Sequence, residues 1–142
     1  MTLLFIAAII YIILTLAGSH FLLALSASSF ALLVYVLPLV LNFLVTKVQK
    51  TDKQKLIASV VCPTLSLLYY IGLTYLSSSS GVWSKFVEVN SVANSSVSME
   101  ITKTPLAASQ LIFVALVFYG VSLAAYFIAK SSVSRNKGVQ HA

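Results

Sequence analysis

The sequence predicts an all-α integral membrane protein with four transmembrane helices, and three observations lead to this fold class. The 142 residues are 59% hydrophobic and only 8% charged, whereas soluble domains carry roughly 25% charged residues. The charged residues are confined to three stretches, 47–55, 85–103 and 130–137. The segments between them are long enough for membrane spans, which take about 20 apolar residues each. Because a charge at the centre of a bilayer costs at least about 2.5 kcal/mol, this distribution is typical of a chain whose solvent is lipid.

The first 46 residues contain no Lys, Arg, Asp or Glu and predict two spans. As a single helix they would run about 69 Å at 1.5 Å per residue, over twice the hydrocarbon thickness of a bilayer. We therefore expect spans at 3–22 and 28–46, with a turn at the serines near residue 26. Three spans would instead place the N-terminus outside. A signal peptide is the alternative for the opening run, but the lack of a basic residue before Lys47, apart from His20, favours a retained span.

The third and fourth spans are predicted at 56–76 and 106–129, where no charged residue interrupts the apolar sequence. Pro38 in the second span and Pro63 in the third predict local kinks, because proline removes a backbone hydrogen bond. Residues 1–129 are therefore expected to form one transmembrane domain. The polar segment 130–142 is expected to be a disordered tail.

The signs of the charged stretches predict an orientation. Residues 47–55 hold four Lys and one Asp, and the tail holds Lys130, Arg135 and Lys137, so each carries a net charge of +3. The loop 77–105 balances two Lys against two Glu. Lys and Arg accumulate on the cytoplasmic side of membranes. We therefore expect both termini and the loop 47–55 in the cytoplasm, the loop 77–105 outside, and a bacterial inner membrane as the location.

The outer loop 77–105 is expected to contain a small β-hairpin. Apolar and polar residues alternate in two segments, 87–90 and 97–102, on either side of a mostly polar stretch. Because an isolated hairpin is marginally stable in water, it should lie against the helix ends or against a partner. A flexible connector is the alternative. The residues expected to face a partner are Trp83, which suits the membrane interface, and Val87, Val89, Met99 and Ile101.

Two carboxamide side chains fall within spans, and their depths decide whether they can meet. Asn42 lies near the cytoplasmic end of the second span and Gln110 near the outer end of the fourth, so we expect no bond between them. Each needs its own partner, and such hydrogen bonds, worth about 0.6 kcal/mol on average, usually hold helices together. The available partners are Ser59 and Thr64 for Asn42, and His20 and Thr74 for Gln110.

The fourth span carries a small-residue pair, Gly120 and Ala124, whose spacing lets another helix approach closely. That helix can belong to this chain or to another. Tyr119 lies near the membrane midplane, where its hydroxyl needs a polar partner. Together with Tyr69 and Tyr70 in the third span, it marks the first place to expect a polar crevice, with simple packing as the alternative.

The spans lack the side chains that membrane-embedded chemistry uses. Asp52, Glu88 and Glu100 all fall in loops, which argues against a proton relay or an ion-coupled transporter within this chain. The sequence contains no glycine-rich phosphate loop, metal-ligand cluster or nucleophile with a base. We therefore expect no enzyme activity, no metal and no cofactor. Nucleic acid is also excluded as a partner, because the orientation accounts for the positive charge.

His20, near the outer end of the first span, is the one weak candidate for a cofactor ligand. Haem held by two histidines would need the second from another subunit, because His141 lies in the tail. An interfacial histidine, or one that makes a helix-to-helix hydrogen bond, is the simpler interpretation.

Three functions from different classes stay open. The sequence favours a non-enzymatic interaction protein, either an accessory subunit of a larger membrane complex or an inhibitor or immunity factor. Such a protein would contact the lipid bilayer and a membrane-protein partner, or a second copy of itself. The second hypothesis is a small homo-oligomeric channel or carrier lined by Ser, Thr and Tyr side chains. The third is an electron-transfer subunit that uses His20.

Overall fold

The computed structural model describes residues 2–91, 93–94, 97–98 and 101–139, and these form a bundle of helices. Four helical segments are long and apolar enough to cross a membrane. Each overlaps one span expected from the sequence, so the prediction of four span-length apolar helices is confirmed. The segments are Thr2–His20, Ala27–Val48, Asp52–Ser79 and Ala108–Ile128.

The second of these segments changes its helical geometry along its length, whereas the other three are regular α-helices. The elements in chain order are α1 (Thr2–His20), a 3₁₀ turn (Leu22–Ala24), α2 (Ala27–Ala31), a π-helical segment (Leu32–Val36), α3 (Leu37–Val48), α4 (Asp52–Ser79), α5 (Val82–Asn90), the strands β1 (Ala93–Asn94) and β2 (Val97–Ser98), and α6 (Ala108–Val139).

Two helices begin at side chains that cap their free N–H groups. Ser26 precedes α2, and its hydroxyl accepts the Ser29 N–H at 3.2 Å. Thr51 precedes α4 and accepts the Gln54 N–H at the same distance, while Asp52 places a negative charge in the first turn. Since the first turn of a helix leaves N–H groups without partners, these residues determine where the two spans start.

The π-helical segment frees a backbone acceptor inside the bundle. The Leu37 N–H bonds the Leu32 carbonyl, five residues back, instead of the Leu33 carbonyl. In this register the next donor would be residue 38, but Pro38 has no N–H. The Leu33 carbonyl therefore accepts from another helix, namely from the Tyr69 hydroxyl at 3.4 Å. Proline in a membrane helix is tolerated because a neighbour satisfies the freed group in this way.

Helix α4 is the central element, and it packs against α1, α3 and α6. Its contact with α1 is close because small residues meet there. A Cβ atom added to Gly18 would collide with the Leu73 side chain, and one added to Gly72 would lie 3.2 Å from the Thr15 methyl carbon. Close backbone approach through small residues is the usual way in which membrane helices associate.

The small-residue pair predicted in the fourth span does not make such a contact within this chain. A Cβ atom added to Gly120 has nothing within 4 Å among the described residues, and both Gly120 and Ala124 are exposed. The buried residues on this part of α6 are instead Phe118, Ser122 and Ala125. The spacing of small residues therefore identified a face of the helix but not a helix that covers it.

Helix α5 closes the end of the bundle that carries the loop 77–105, which we call the outer end after the orientation expected from the sequence. Helix α4 ends at Ser79, and Gly81 follows with a positive φ of 72°, a backbone conformation that glycine adopts without strain. The chain turns there into α5, which lies against α4 and the 3₁₀ turn. Its buried residues are Trp83, Phe86 and Val87.

The predicted β-hairpin is wrong in its first strand, because Val87 and Val89 lie in α5. The apolar residues at 83, 86 and 87 follow helical spacing, and this pattern prevails over the short alternation of two valines. The described strand pair has only two residues on each side, with Ala93 opposite Ser98 and Asn94 opposite Val97. Met99 lies outside the described residues.

The segment expected to be a disordered tail is helical as far as Val139, since α6 continues beyond the fourth span. Residues 130–139 contain no proline, and their one glycine is at 138, so nothing in their sequence ends the helix earlier.

Candidate functional site

A cluster of polar side chains lies at the centre of the bundle, where α1, α3 and α4 meet. The Tyr11 hydroxyl lies 3.0 Å from the Asn42 carbonyl oxygen and 2.9 Å from the Ser66 hydroxyl. Asn42 Nδ2 donates to Ser66 Oγ at 2.9 Å. All three residues are buried, with 4% or less of each exposed. We call Tyr11, Asn42 and Ser66 the central cluster.

Backbone carbonyls complete the hydrogen bonding of the central cluster. Tyr11 is also 3.4 Å from the Pro38 carbonyl oxygen, and Ser66 Oγ donates to the Cys62 carbonyl at 3.0 Å. Every polar atom of these side chains thus has a partner within the chain, as burial in lipid requires.

The partners of Asn42 differ from those expected. The sequence pointed to Ser59 and Thr64, which lie on the same helix as Ser66 but make other contacts. Ser59 Oγ donates to the Leu56 carbonyl, and Thr64 bonds the Val60 carbonyl. Tyr11 was missed altogether, because a single tyrosine in an apolar helix has the same pattern whether it faces lipid or the interior.

Tyr119 has the polar partner that its predicted depth requires. Its hydroxyl is 2.7 Å from Thr64 Oγ1, so the bond ties α6 to α4. Gln110 bonds the Tyr35 hydroxyl through Nε2 at 3.2 Å, rather than His20 or Thr74. The two carboxamides, Asn42 and Gln110, therefore have different partners, as predicted.

The central cluster contains hydroxyls and an amide but no ionisable base. None of its groups can accept a proton from another at neutral pH, and none has a described carboxylate or histidine partner. Among the residues that the structure describes, no three His, Cys, Asp or Glu side chains form a group that could hold a metal ion. What this arrangement can do is hold three helices in one register.

An aromatic cap covers the outer end of the bundle. The Phe30 ring lies 5.5 Å from the Trp83 ring and 5.1 Å from the Phe86 ring, measured between centroids. Trp83 Nε1 donates to the Thr102 carbonyl at 3.2 Å. Asn90, at the end of α5, accepts the Ala27 N–H through Oδ1 at 2.9 Å and so satisfies a free donor at the start of α2. We call Phe30, Trp83, Phe86 and Asn90 the outer cap.

The outer cap changes the interpretation of the residues expected to face a partner. Trp83 and Val87 are buried, with 4% and 6% exposed, so they pack inside the chain. Ile101 is half-buried against the same core. Val89 alone is strongly exposed, at 69%. An indole near the interface has the same sequence pattern in a cap as in an aromatic belt, which is why the sequence did not separate the two.

A cavity of about 270 Å³ lies beneath the outer cap, between α2, α4, α5 and the start of α6. The Gln110 amide and the Tyr35 hydroxyl face it, and Tyr70 on the same wall donates to the Pro105 carbonyl at 3.0 Å. Its lining consists of Ala27, Phe30, Ala31, Tyr35, Tyr70, Trp83, Ile101, Thr102 and Gln110. We call this space the outer cavity.

A second recess, of about 470 Å³, also borders Trp83 and has two charged residues in its lining. Ser84, Glu88 and Lys103 line it together with Val87 and Ser91.

His20 lies apart from both spaces. It is exposed at the end of α1, and its ring contacts the Phe21 ring edge-on, with 5.1 Å between the centroids. Histidine 20 has no side-chain hydrogen bond to any described residue, so the structure supplies no second ligand beside it.

Three buried polar atoms outside the central cluster and the outer cap were not singled out from the sequence. Thr46 Oγ1, Gln49 Nε2 and Ser122 Oγ have no hydrogen-bond partner among the residues that the structure describes. These orphaned atoms contrast with the complete bonding of the central cluster.

The chain matches no protein-family model, no curated protein and no solved structure.

Proposed function

We propose that this chain is a non-enzymatic interaction protein of the membrane, either an accessory subunit of a larger complex or an inhibitor or immunity factor of a membrane-acting partner. One observation carries the proposal. The hydrogen-bonding side chains at the middle of the spans are used up in contacts between the chain's own helices, as in the central cluster. The large side chains that α1 and α6 present outward are apolar.

The outward faces argue against a pathway formed between copies. On α1 and α6 the exposed large side chains are those of aliphatic and aromatic residues, and a water-filled or ion-conducting path needs polar lining. Near the middle of the spans, the hydroxyls of Tyr11, Thr64, Ser66 and Tyr119 have hydrogen-bond partners inside the chain instead. The exposed residues are Leu3, Phe5, Ile6, Ile9, Ile12, Ile13 and Leu16 on α1, and Ile112, Phe113, Leu116, Val121, Leu123, Phe127 and Ile128 on α6.

Two surfaces support contact with a partner. Gly120 and Ala124 lie on the exposed face of α6, where the space over Gly120 is empty and a second helix can approach closely. Outside the bundle, Val89 projects from α5 next to Glu88, which lines the larger recess. A membrane partner with one helix and an outer segment would use both surfaces.

The proposal includes an orientation with both termini and the loop 47–55 in the cytoplasm. The net charge of +3 on that loop and on the polar segment after residue 129 supports it, against the neutral loop 77–105. The location proposed is a plasma membrane, the inner membrane of a bacterium, because bacterial outer-membrane proteins cross as β-barrels rather than as apolar helices.

Purification in a mild detergent, followed by mass spectrometry of the proteins that accompany the chain, tests the function. We expect a partner to be recovered with the wild type and lost with Gly120→Leu. Ala17→Leu is the matched control, because Ala17 is an exposed small residue on α1 and the change introduces the same leucine side chain. Both variants should keep the fold, since neither position is packed against another helix.

Three results would contradict the proposal. Recovery of the wild type as a lone monomer would contradict the existence of a partner. Equal recovery of the partner with both variants would show that the Gly120 face of α6 is not the binding surface. Ion or solute flux through liposomes containing a pure homo-oligomer would favour the channel hypothesis instead.

A further inference from the structure

The outer cavity has walls that suit a flat ring. Four of its lining residues are aromatic, and their rings meet at angles rather than in parallel. Phe30 and Trp83 are 5.5 Å apart at 64°, and Tyr35 and Tyr70 are 6.2 Å apart at 39°. Aromatic rings attract further rings in edge-on and offset arrangements. The walls therefore favour a planar aromatic guest over a flexible chain.

The polar groups of the cavity converge at one side. Gln110 Nε2 donates to the Tyr35 hydroxyl, and Tyr70 donates to the Pro105 carbonyl, so these hydrogens are already used. The Gln110 amide also interacts with the Tyr70 hydroxyl, but its carbonyl oxygen Oε1 has no partner at hydrogen-bonding distance among the described residues. A hydroxyl group on a ligand can donate to this oxygen.

The charge and the size of the outer cavity further limit which ligands can bind. No lining residue of the outer cavity is charged, and a charged guest placed there would lose its hydration without compensation. An apolar cavity of about 150 Å³ is enough for benzene. The outer cavity, at about 270 Å³, has room for one or two rings.

We propose that the outer cavity binds a neutral phenol-like molecule of one or two rings, with its rings between Phe30, Trp83 and Tyr70 and its hydroxyl on Gln110. The site is at the outer end of the bundle, where amphipathic aromatic molecules concentrate at the membrane surface. It is separate from the Gly120 face of α6, so this proposal does not rest on the proposed partner.

The chain carries its own probe for this site. Trp83 is the only tryptophan and lines the cavity, so its fluorescence reports a guest directly. We would titrate the full chain in detergent micelles with 1-naphthol, with naphthalene, which lacks the hydroxyl, and with 1-naphthoate, which is charged. We expect saturable quenching of Trp83 by 1-naphthol, weaker binding of naphthalene and no saturable binding of 1-naphthoate.

Two variants separate binding in the cavity from partition into the micelle. Gln110→Leu should weaken the binding of 1-naphthol about three- to tenfold, which is the effect of losing one neutral hydrogen bond. The affinity for naphthalene should change by less than about twofold. Gln54→Leu is the matched control, because Gln54 lies near the inner end of α4, outside the cavity. Ala31→Phe should fill the cavity and abolish saturable quenching by both neutral probes.

Controls of folding and two contrary results complete the test of the outer cavity. Circular dichroism should show wild-type helix content for each variant used. Failure of Gln110→Leu to fold leaves Ala31→Phe and the comparison of the three probes as the test. Absence of saturable quenching in the wild type would overturn the site. Equal affinity for naphthalene and 1-naphthol, with Gln110→Leu behaving as Gln54→Leu does, would show an apolar void without the proposed specificity.

Discussion

Two serines provide a direct test of the central cluster, because both are buried and only one is hydrogen-bonded. Ser66 is 0% exposed and lies within hydrogen-bonding distance of Tyr11, Asn42 and the Cys62 carbonyl. Ser122 on α6 is 2% exposed, and its hydroxyl has no partner among the described residues. The same substitution, serine to alanine, removes one oxygen at each position and leaves a space of the same size.

The expected magnitudes follow from what each hydroxyl does. A hydroxyl donates one hydrogen bond and accepts two, so Ser66 can accept from Asn42 Nδ2 and Tyr11 while it donates to a carbonyl. After Ser66→Ala, Tyr11 still reaches the Asn42 carbonyl oxygen at 3.0 Å, but Asn42 Nδ2 is left unpaired. Hydrogen bonds between membrane helices are worth about 0.6 to 1.7 kcal/mol, and an unpaired buried donor adds to the loss. We expect Ser66→Ala to lower the free energy of unfolding by about 1–2 kcal/mol, and Ser122→Ala to leave it unchanged or slightly higher.

The assay is unfolding of the detergent-solubilised chain with increasing sodium dodecyl sulfate, followed by Trp83 fluorescence and helix content. A double variant adds a second measurement. In the Asn42→Leu background, Ser66→Ala should cost less than it does in the wild type, because the bond between the two side chains is already gone. Equal losses for Ser66→Ala and Ser122→Ala, or additive losses in the double variant, would refute the assignment of the cluster.

Three further predictions use the same unfolding assay. Gly18→Leu should destabilise the bundle by about 1–3 kcal/mol, since its side chain would collide with α4, whereas Ala17→Leu next to it should have little effect; equal effects would contradict the close approach of the two helices. Asn90→Ala should cost about 1 kcal/mol, because the Ala27 N–H loses its acceptor, and a fully stable variant would show that this cap is dispensable. Thr46→Val should be neutral or stabilising, because it removes a buried hydroxyl that has no partner among the described residues. A loss of stability above about 1 kcal/mol would mean that the hydroxyl has a partner.

The number and position of the spans were predictable because they depend on hydropathy summed over about 20 residues, a signal that local errors hardly change. The separation of Asn42 from Gln110 was predictable for a related reason, since depth along a helix follows directly from residue number. Rotation about the helix axis was not predictable in the same way. The spans are apolar on nearly all sides, so the pattern that identifies an inward face in a soluble helix is weak here.

Rotation is why the partners of the polar residues were missed. Tyr11 and Gly18 share one face of α1, seven positions apart, and that face meets α4. Seven residues make about two helical turns, so this spacing was a signal that could have been used. The prediction for the outer cap was wrong for a different reason. The alternation of two valines was given more weight than the helical spacing of Trp83, Phe86 and Val87.

The central cluster also has a consequence for the order in which the bundle can assemble. Helices enter the bilayer as stable spans and then associate, and the ribosome supplies α1 and α3 before α4. The Tyr11 hydroxyl lies 3.0 Å from Asn42 Oδ1, so the first two spans can already form this bond, and Asn42 Nδ2 is left as a donor for Ser66. Ser66 then joins a bond that already exists, instead of starting from two isolated polar groups in hydrocarbon. The first helical hairpin is in this sense a template on which the third span finds its rotation.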